Sequence, residues 1–385
     1  MRNELNAYYI KILRSRYKLA SKSQKTIFLN EAEQITGLSR KRIIKILNIN
    51  KNRPLKIQSK GRPCKYNELI PILRKLHYFM GKVCPKRMKA AIPIWLPSYK
   101  LHFGTLEPGH EKKLKSISAS SIARLLKKDQ GLRGLSSTKV NKRMKVKIPL
   151  KKLDETVTSP GTVQADLVVH CGTSLSGEYA NTLTMVDVYS GWTENRAIWT
   201  KAALGVREAV RSIEKNLIFK IKNFDTDCGT EFLNYTMMEF LEKRPQPIKM
   251  RRSRPYKKND QAYVEQKNFT HVRKIFKYDR ISNIKLLEMM NDIYENYWNP
   301  LQNYFLPSYK IESKERVGSK IVKKYGELKT PAQRIRESAG TPNHIKGIIR
   351  SNLMDLDPIT LKKALNKKLE NFREELDNYI HQEAA

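Results

Sequence analysis

The chain predicts a multidomain fold: a helical N-terminal region, an α/β core on a mixed sheet, and a mixed C-terminal tail. Three observations predict it. At 385 residues the chain is too long for one ordinary core. Near residue 155 the apolar periodicity changes from helical spacing to strand alternation. The charge is also lopsided. Residues 1–150 hold 36 Lys and Arg against 7 Asp and Glu, a net of +29, and residues 151–385 hold 39 against 30, a net of +9. The acid-poor first part is therefore the main polyanion-binding region. A hydrophobic content of 40% suffices for globular cores and excludes wholesale disorder.

Residues 1–50 read as helices, within a helix-turn-helix DNA-binding domain over 1–60. Within them, Asn30-Glu-Ala-Glu-Gln-Ile-Thr-Gly-Leu-Ser39 and the following Arg40-Lys-Arg-Ile-Ile-Lys-Ile-Leu47 have the form of a helix-turn-helix. Asn30 is placed to cap a short first helix, Gly37 to make the turn and Ser39 to cap the second helix. Ile43, Ile46 and Leu47 form its apolar stripe, leaving Arg40, Lys41, Arg42 and Lys45 for groove contacts. An ordinary helical hairpin with a solvated basic face is the duller alternative. In Lys60-Gly-Arg-Pro-Cys-Lys-Tyr66, Arg62 sits in an extended basic segment suited either to a minor groove or to a charged linker. Residues 61–130 form a second helical region, with a recognition-like helix capped by Ser118. A basic linker, 131–154, follows.

The core spans 155–300. Thr162–Val169, Ala180–Tyr189 and Trp192–Ile198 read as a three-stranded meander. A helix at 202–217, a strand at 218–226, a helix at 231–243 and a short strand at Ile248–Arg251 come next. Helices at 260–277 and 282–298 complete it. In the tail, 301–385, residues 311–350 read as basic and irregular. Asp357-Pro358 opens a final helix, whose Leu365, Leu369, Phe372, Leu376 and Tyr379 suit packing on its own protein better than a coiled coil.

Three carboxylates stand out. Asp166 lies inside the apolar run Thr162–Val169. Asp227 opens Asp227-Cys-Gly-Thr-Glu-Phe232 after an apolar stretch. Glu265 follows a proline-containing basic loop. A carboxylate on a hydrophobic strand is costly unless neutralised, and hard oxygen donors suit Mg²⁺ or Mn²⁺. Asp225 shares Asp227's strand face and competes with it as a ligand. Asp187 reads as structural, and Glu231 as a residue of a helix's first turn. His170 and His271 are conceivable bases but read more simply as core histidines. Lys258 and Lys267 flank Glu265, placed either to hold DNA phosphates or as solvated lysines.

The order of Gln164-Ala-Asp166, Asp227-Cys-Gly-Thr-Glu-Phe232 and Arg254-Pro-Tyr-Lys-Lys-Asn-Asp-Gln-Ala-Tyr-Val-Glu265 resembles the integrase core of DDE transposases and retroviral integrases. The 38 positions from Asp227 to Glu265 are close to that family's spacing. Cys228 replaces the family's usual asparagine. The segments ahead of the core resemble those of bacterial insertion-sequence transposases. The resemblance implies a ribonuclease H-like core over about 155–300, with Asp166, Asp227 and Glu265 holding two Mg²⁺ (or Mn²⁺) ions. It also implies double-stranded DNA, both element ends and target, as substrate. Self-association to a dimer or larger assembly follows from holding two ends together, and the bacterial cytosol or nucleoid as the site of action.

Two other readings are open: a non-catalytic DNA-binding regulator derived from a transposase, and a nuclease of ribonuclease H type. The scattered cysteines Cys64, Cys84, Cys171 and Cys228 have no zinc-site spacing and suit a reducing compartment. No apolar stretch is long enough to span a bilayer, and the first ten residues lack a signal peptide's apolar core.

Overall fold

A computed structural model describes residues 2–48, 66–107, 109–126, 157–226, 231–232, 234–252, 261–317 and 320–384. The chain divides into two units, Met1–Lys65 and Tyr66–Ala385.

The first unit holds α1 (Arg2–Leu19), α2 (Lys22–Thr36) and α3 (Arg40–Leu47) around Ile10, Leu13, Leu29, Ala32, Ile43 and Leu47. Ser21, not Asn30, starts α2. Its hydroxyl accepts from Gln24 N while the Gln24 side chain accepts from Ser21 N, a reciprocal cap. Asn30 lies inside that helix, where its side chain meets Arg40. Gly37 ends α2 at φ 69°, a conformation that strains any residue with a Cβ. Ser39 does occupy the start of α3, without a side-chain capping bond.

The second unit begins with α4 (Ile70–Phe79), α5 (Pro85–Phe103), α6 (His110–Ser116) and α7 (Ala119–Leu125), the last capped by Ser118 Oγ. A five-stranded mixed sheet follows. Its strands are β1 (Thr162–Val169), β2 (Asn181–Asp187), β3 (Thr193–Ile198), β4 (Asn223–Thr226) and β5 (Lys249–Arg252), in the order β3-β2-β1-β4-β5. β1 runs antiparallel to β2 and parallel to β4, so the meander and the crossover half share β1 as the central strand.

The fourth strand is shorter than the apolar run 218–226 suggests. Leu217, Ile218 and Phe219 turn into the apolar core instead, and pairing starts where Lys222 and Asn223 donate to Gly161 O. Gly161 makes that approach possible: a Cβ there would lie 2.7 Å from Lys220 O.

The two faces of the sheet are covered differently. Val163, Ala165, Leu183 and Met185 pack under α8 (Ala203–Asn216) and α9 (Tyr235–Glu242). The apolar stripe Val206, Val210 and Ile213 of α8 is fully buried, worth about 1.5–3 kcal/mol per side chain. Asn234 caps α9, so Glu231 precedes that helix instead of lying in its first turn.

On the other face lies α10 (Ala262–Lys267), which runs through a π-helical turn, Asn268–Arg273, into α11 (Lys274–Phe276). Beside it α12 (Ile284–Ile293) continues through π-helical segments to Phe305. Three asparagines of this long helix close the edge strand. Asn291 and Asn303 each exchange two hydrogen bonds with the backbone of Ala197 and Thr193, and Asn299 donates to Asn195 O. They satisfy alternate backbone groups as a neighbouring strand would.

The described residues of 311–350 form regular elements, not the irregular stretch expected. A hairpin of β6 (Ile311–Val317) and β7 (Lys320–Tyr325) precedes α13 (Pro331–Glu337) and α14 (Asn343–Asp355). The last helix, α15 (Pro358–Ala384), buries Leu365, Phe372 and Leu376 in the same core as Trp95, Tyr294 and Phe305, so it packs on its own protein. Among the described residues no helix is long and apolar enough to cross a membrane.

Candidate active site

Strand alternation fixes what β1 offers. Val163 and Ala165 enter the α8–α9 core, so Gln164 and Asp166 face α10. Gln164 Oε1 accepts from Val264 N at 3.4 Å. Asp166 is half-buried; its Oδ1 accepts from Leu167 N at 2.9 Å and its Oδ2 from Asn268 Nδ2 at 2.6 Å. Two bonds, one helical turn apart on the helix, thus fasten α10 across β1. Glu265 lies between the two attachment points, with its side chain exposed. Asp166, braced by an amide, and the exposed Glu265 on the crossing helix offer hard oxygen donors of the kind that a divalent cation accepts.

Asp227 lies outside the described residues, as do Arg62 and Lys258. Among the described residues, no three His, Cys, Asp or Glu side chains gather where they could hold a metal. The parallel register carries Gln164 opposite Asp225 and Ala165 opposite Thr226, the last described residue of β4. Asp225 is engaged elsewhere. Arg251, its partner across β5, donates to it from Nε at 2.6 Å and from Nη2 at 2.9 Å, a two-pronged ion pair. Asp187 is fully buried and caps the β2–β3 turn, accepting from Gly161 N, Ser190 N and Ser190 Oγ. Burial raises its carboxyl above the usual range, and those hydrogen bonds work against the rise.

Neither histidine is equipped as a base at Asp166. His170 is buried and bonds Thr182 Oγ1 at 2.8 Å, which in turn meets the Tyr294 hydroxyl. Burial pushes its imidazole down to about 3. His271 packs edge-on against Trp298, ring centroids 5.8 Å apart. Burial, with Lys267 and Arg87 nearby, holds it well below the usual histidine range.

Lys267 does not share Glu265's side of α10. Two residues along an α-helix turn the side chain by about 200°. Lys267 is half-buried on the other flank, pushed down to about 7 by burial and by the cations Arg87 and Arg334. In the first unit Lys41, Arg42 and Lys45 are exposed, whereas Arg40 turns back to Asn30 and to Glu33 at 3.8 Å.

Sequence reasoning missed Asn268 and Arg251. The signal for Asn268 was its place three residues after Glu265, on the face that helical periodicity turns toward the sheet. Arg251 had no such signal, since its role depends on which strand neighbours β4.

No family model matches the chain. Among solved structures, it is similar to part of a simian T-cell lymphotropic virus intasome, solved in complex with PP2A regulatory subunit B56 gamma. That match has 13% identity and a TM-score of 0.30, over 47% of this chain and 60% of that one. It is also similar to the catalytic core domain of BIV integrase, with 17% identity and a TM-score of 0.23, over 34% of this chain and 72% of that one. A third is the HTLV-2 integrase catalytic core domain in complex with magnesium, with 18% identity and a TM-score of 0.29, over 39% of this chain and 91% of that one. With 31% of positions identical over 323 residues, 80% of this chain and 89% of its relative, the chain belongs to the family of the uncharacterized protein y4rM of Sinorhizobium fredii (strain NBRC 101917 / NGR234).

Proposed function

We propose that the chain is a DNA transposase of the DDE type, which binds the ends of its element and catalyses cleavage and strand transfer. One observation carries this reading: the helix bearing Glu265 is fastened to the strand bearing Asp166 through Asn268, at 2.6 Å. In the sequence, the motif that supplies Asp227 begins one residue after Thr226, where the described part of β4 ends, and β4 pairs in parallel with the strand of Asp166.

Asp166, Asp227 and Glu265 would hold the divalent cations. When bound, such ions activate the attacking oxygen and stabilise the leaving oxygen of an in-line phosphoryl transfer. The residues themselves position and brace. Asn268 and Leu167 N fix the Asp166 carboxylate, and the Gln164 bond keeps the start of α10 against β1. Arg251 engages Asp225 through two bonds, and the following Gly-Thr-Glu-Phe favours Asp227 as the donor from this stretch. The exposed Lys41, Arg42 and Lys45 of α3, within a region of net +29, would contact the DNA ends.

The test uses the full chain with duplex DNA taken from the sequence flanking its reading frame. Asp166→Asn and Asp227→Asn should each abolish Mg²⁺-dependent cleavage and joining, while end binding in a gel-shift assay stays near the unsubstituted level. Full activity in either variant refutes the assignment. Cleavage without joining, in the unsubstituted protein, would point to a nuclease instead.

A further inference from the structure

The β6–β7 hairpin forms a two-stranded sheet of its own, apart from the five-stranded core sheet. Successive side chains of a strand point to opposite faces. Yet Val322, Lys323, Lys324 and Tyr325 of β7 are all exposed, Val322 at 52% and Tyr325 at 50%. Neither face of β7 is therefore covered over these residues. A two-stranded ribbon without a buried face is at best marginally stable by itself.

The root of the ribbon, by contrast, is held firmly. Lys310, just before β6, donates from Nζ to Tyr189 O at 2.5 Å and lies over the Tyr189 ring, 4.5 Å from its centre. Gly326, just after β7, donates to Lys310 O at 3.0 Å, and Ser308 pairs with Lys329. The rings of Tyr309 and Tyr325 meet edge to face, centroids 5.5 Å apart. The fold thus fixes the base of the hairpin at the β2–β3 turn and leaves β7 in solvent.

Charge and shape identify what covers it. Residues 311–325 hold five Lys and Arg against two Glu, a net of +3. The register sets Lys323 opposite Lys314, a like-charge pair that costs stability until an anion is bound. Lys323 and Lys324, being consecutive, offer cations to both faces. Strands about 4.8 Å apart and about 20 Å long make a body that the major groove of B-form DNA, about 12 Å wide, admits between two walls of phosphate.

We propose that the β6–β7 hairpin is a DNA-binding arm that seats in the major groove of a duplex, with Lys323 and Lys324 on the phosphates of its walls. The choice of DNA rests on the function proposed above. The arm lies outside the region of net +29, in the unit that carries Asp166 and Glu265.

Binding of the full chain to a DNA duplex of arbitrary sequence, without Mg²⁺ and with salt varied, tests the arm, because phosphate contacts carry no sequence information. The double variant Lys323→Gln, Lys324→Gln should lower the slope of log K against log salt by about 1.8, about 0.9 for each contact. Lys323→Arg with Lys324→Arg should keep the slope. Lys220→Gln with Lys243→Gln, exposed lysines bonded to Gln246 and Glu239, should also keep it. The Gln substitutions at 323 and 324 should not lower the melting temperature, since they relieve the cross-strand repulsion. On an RNA duplex of the same sequence, whose major groove is too narrow for a ribbon, the arm variant and the unsubstituted protein should have equal slopes. An unchanged slope on DNA, or an equal drop in the Lys220 and Lys243 control, overturns the arm, and an equal drop on RNA overturns its place in the groove. Cleavage is read separately. A lowered slope in a protein that never cleaves sinks the transposase reading and keeps the arm, and cleavage with an unchanged slope does the opposite.

Discussion

Asn268 Nδ2 donates to Asp166 Oδ2 at 2.6 Å, and this bond sets the orientation of the strand carboxylate relative to the helix that carries Glu265. With Leu167 N occupying Oδ1, both carboxylate oxygens are held. Groups that orient ligands typically contribute 10–100-fold to metal affinity or activity when removed. Asn268→Ala should therefore slow cleavage by about that factor and raise the Mg²⁺ concentration needed for half-maximal rate, with little change in melting temperature. Asn268→Asp should be worse, because it sets a second carboxylate against Asp166. A Mg²⁺ titration of the cleavage rate checks both; a wild-type titration curve for the Ala variant would remove Asn268 from the site.

Asp225 and Asp227 are separable by experiment because Asp225 has a strong partner inside the sheet. The Asp225–Arg251 pair is two-pronged and partly shielded, its side chains 19% and 35% exposed. Asp225→Asn should lower stability by about 1–2 kcal/mol and retain cleavage. Asp227→Asn should do the reverse. Urea denaturation and cleavage assays on the two variants give the comparison, and a dead but stable Asp225→Asn protein would exchange the two roles.

The parts of the fold that the sequence made legible are those where local physics and tertiary packing agree. β1 is readable because Thr162–Val169 is a run of strand formers, and α7 because Ser118 caps it as written. The hairpin of β6 and β7 is not. Ile311-Glu-Ser-Lys-Glu-Arg-Val317 has almost no apolar alternation to mark a strand, and its pairing, which places Lys314 opposite Lys323, is set by a partner strand that periodicity does not reveal. The start of α13 carried a signal that the reading of 311–350 as irregular passed over, since Thr330 and Gln333 form a capping box around Pro331. Asp166 and Glu265 were singled out through spacing and strand context, whereas the surroundings of Lys267 depend on Arg87 and Arg334, 180 residues upstream and 67 downstream.

The asparagine ladder on β3 makes a stability prediction. Asn303 supplies both Nδ2 to Thr193 O and Oδ1 to Thr193 N, each at 2.9 Å and buried. Asn303→Leu keeps the volume but leaves two backbone groups unmet, at about 1–3 kcal/mol each. The expected loss is about 2–4 kcal/mol by urea denaturation, with greater aggregation as the strand edge opens. A loss below about 0.5 kcal/mol would mean that water or a shifted neighbour satisfies the edge.

Glu194 carries the pH prediction. Its carboxylate is buried on β3, where it accepts from Trp192 Nε1 at 2.8 Å and Asn299 Nδ2 at 2.7 Å. Burial pushes its pKa up to about 7 from an ordinary 4.5; Trp192, Arg196 and Asn299 oppose the rise, while Glu295 adds to it. Between those two values the folded chain keeps a proton that the unfolded chain releases, so stability falls as pH rises through this window and levels off above it. The full shift corresponds to about 3 kcal/mol. Glu194→Gln cannot titrate, and its side-chain oxygen still accepts from Trp192. The difference in unfolding free energy between the two proteins, measured by urea at pH 5 and pH 7.5, should therefore move toward the variant at the higher pH. A difference that stays constant across that range would mean Glu194 is ionised throughout, its charge balanced by Arg196.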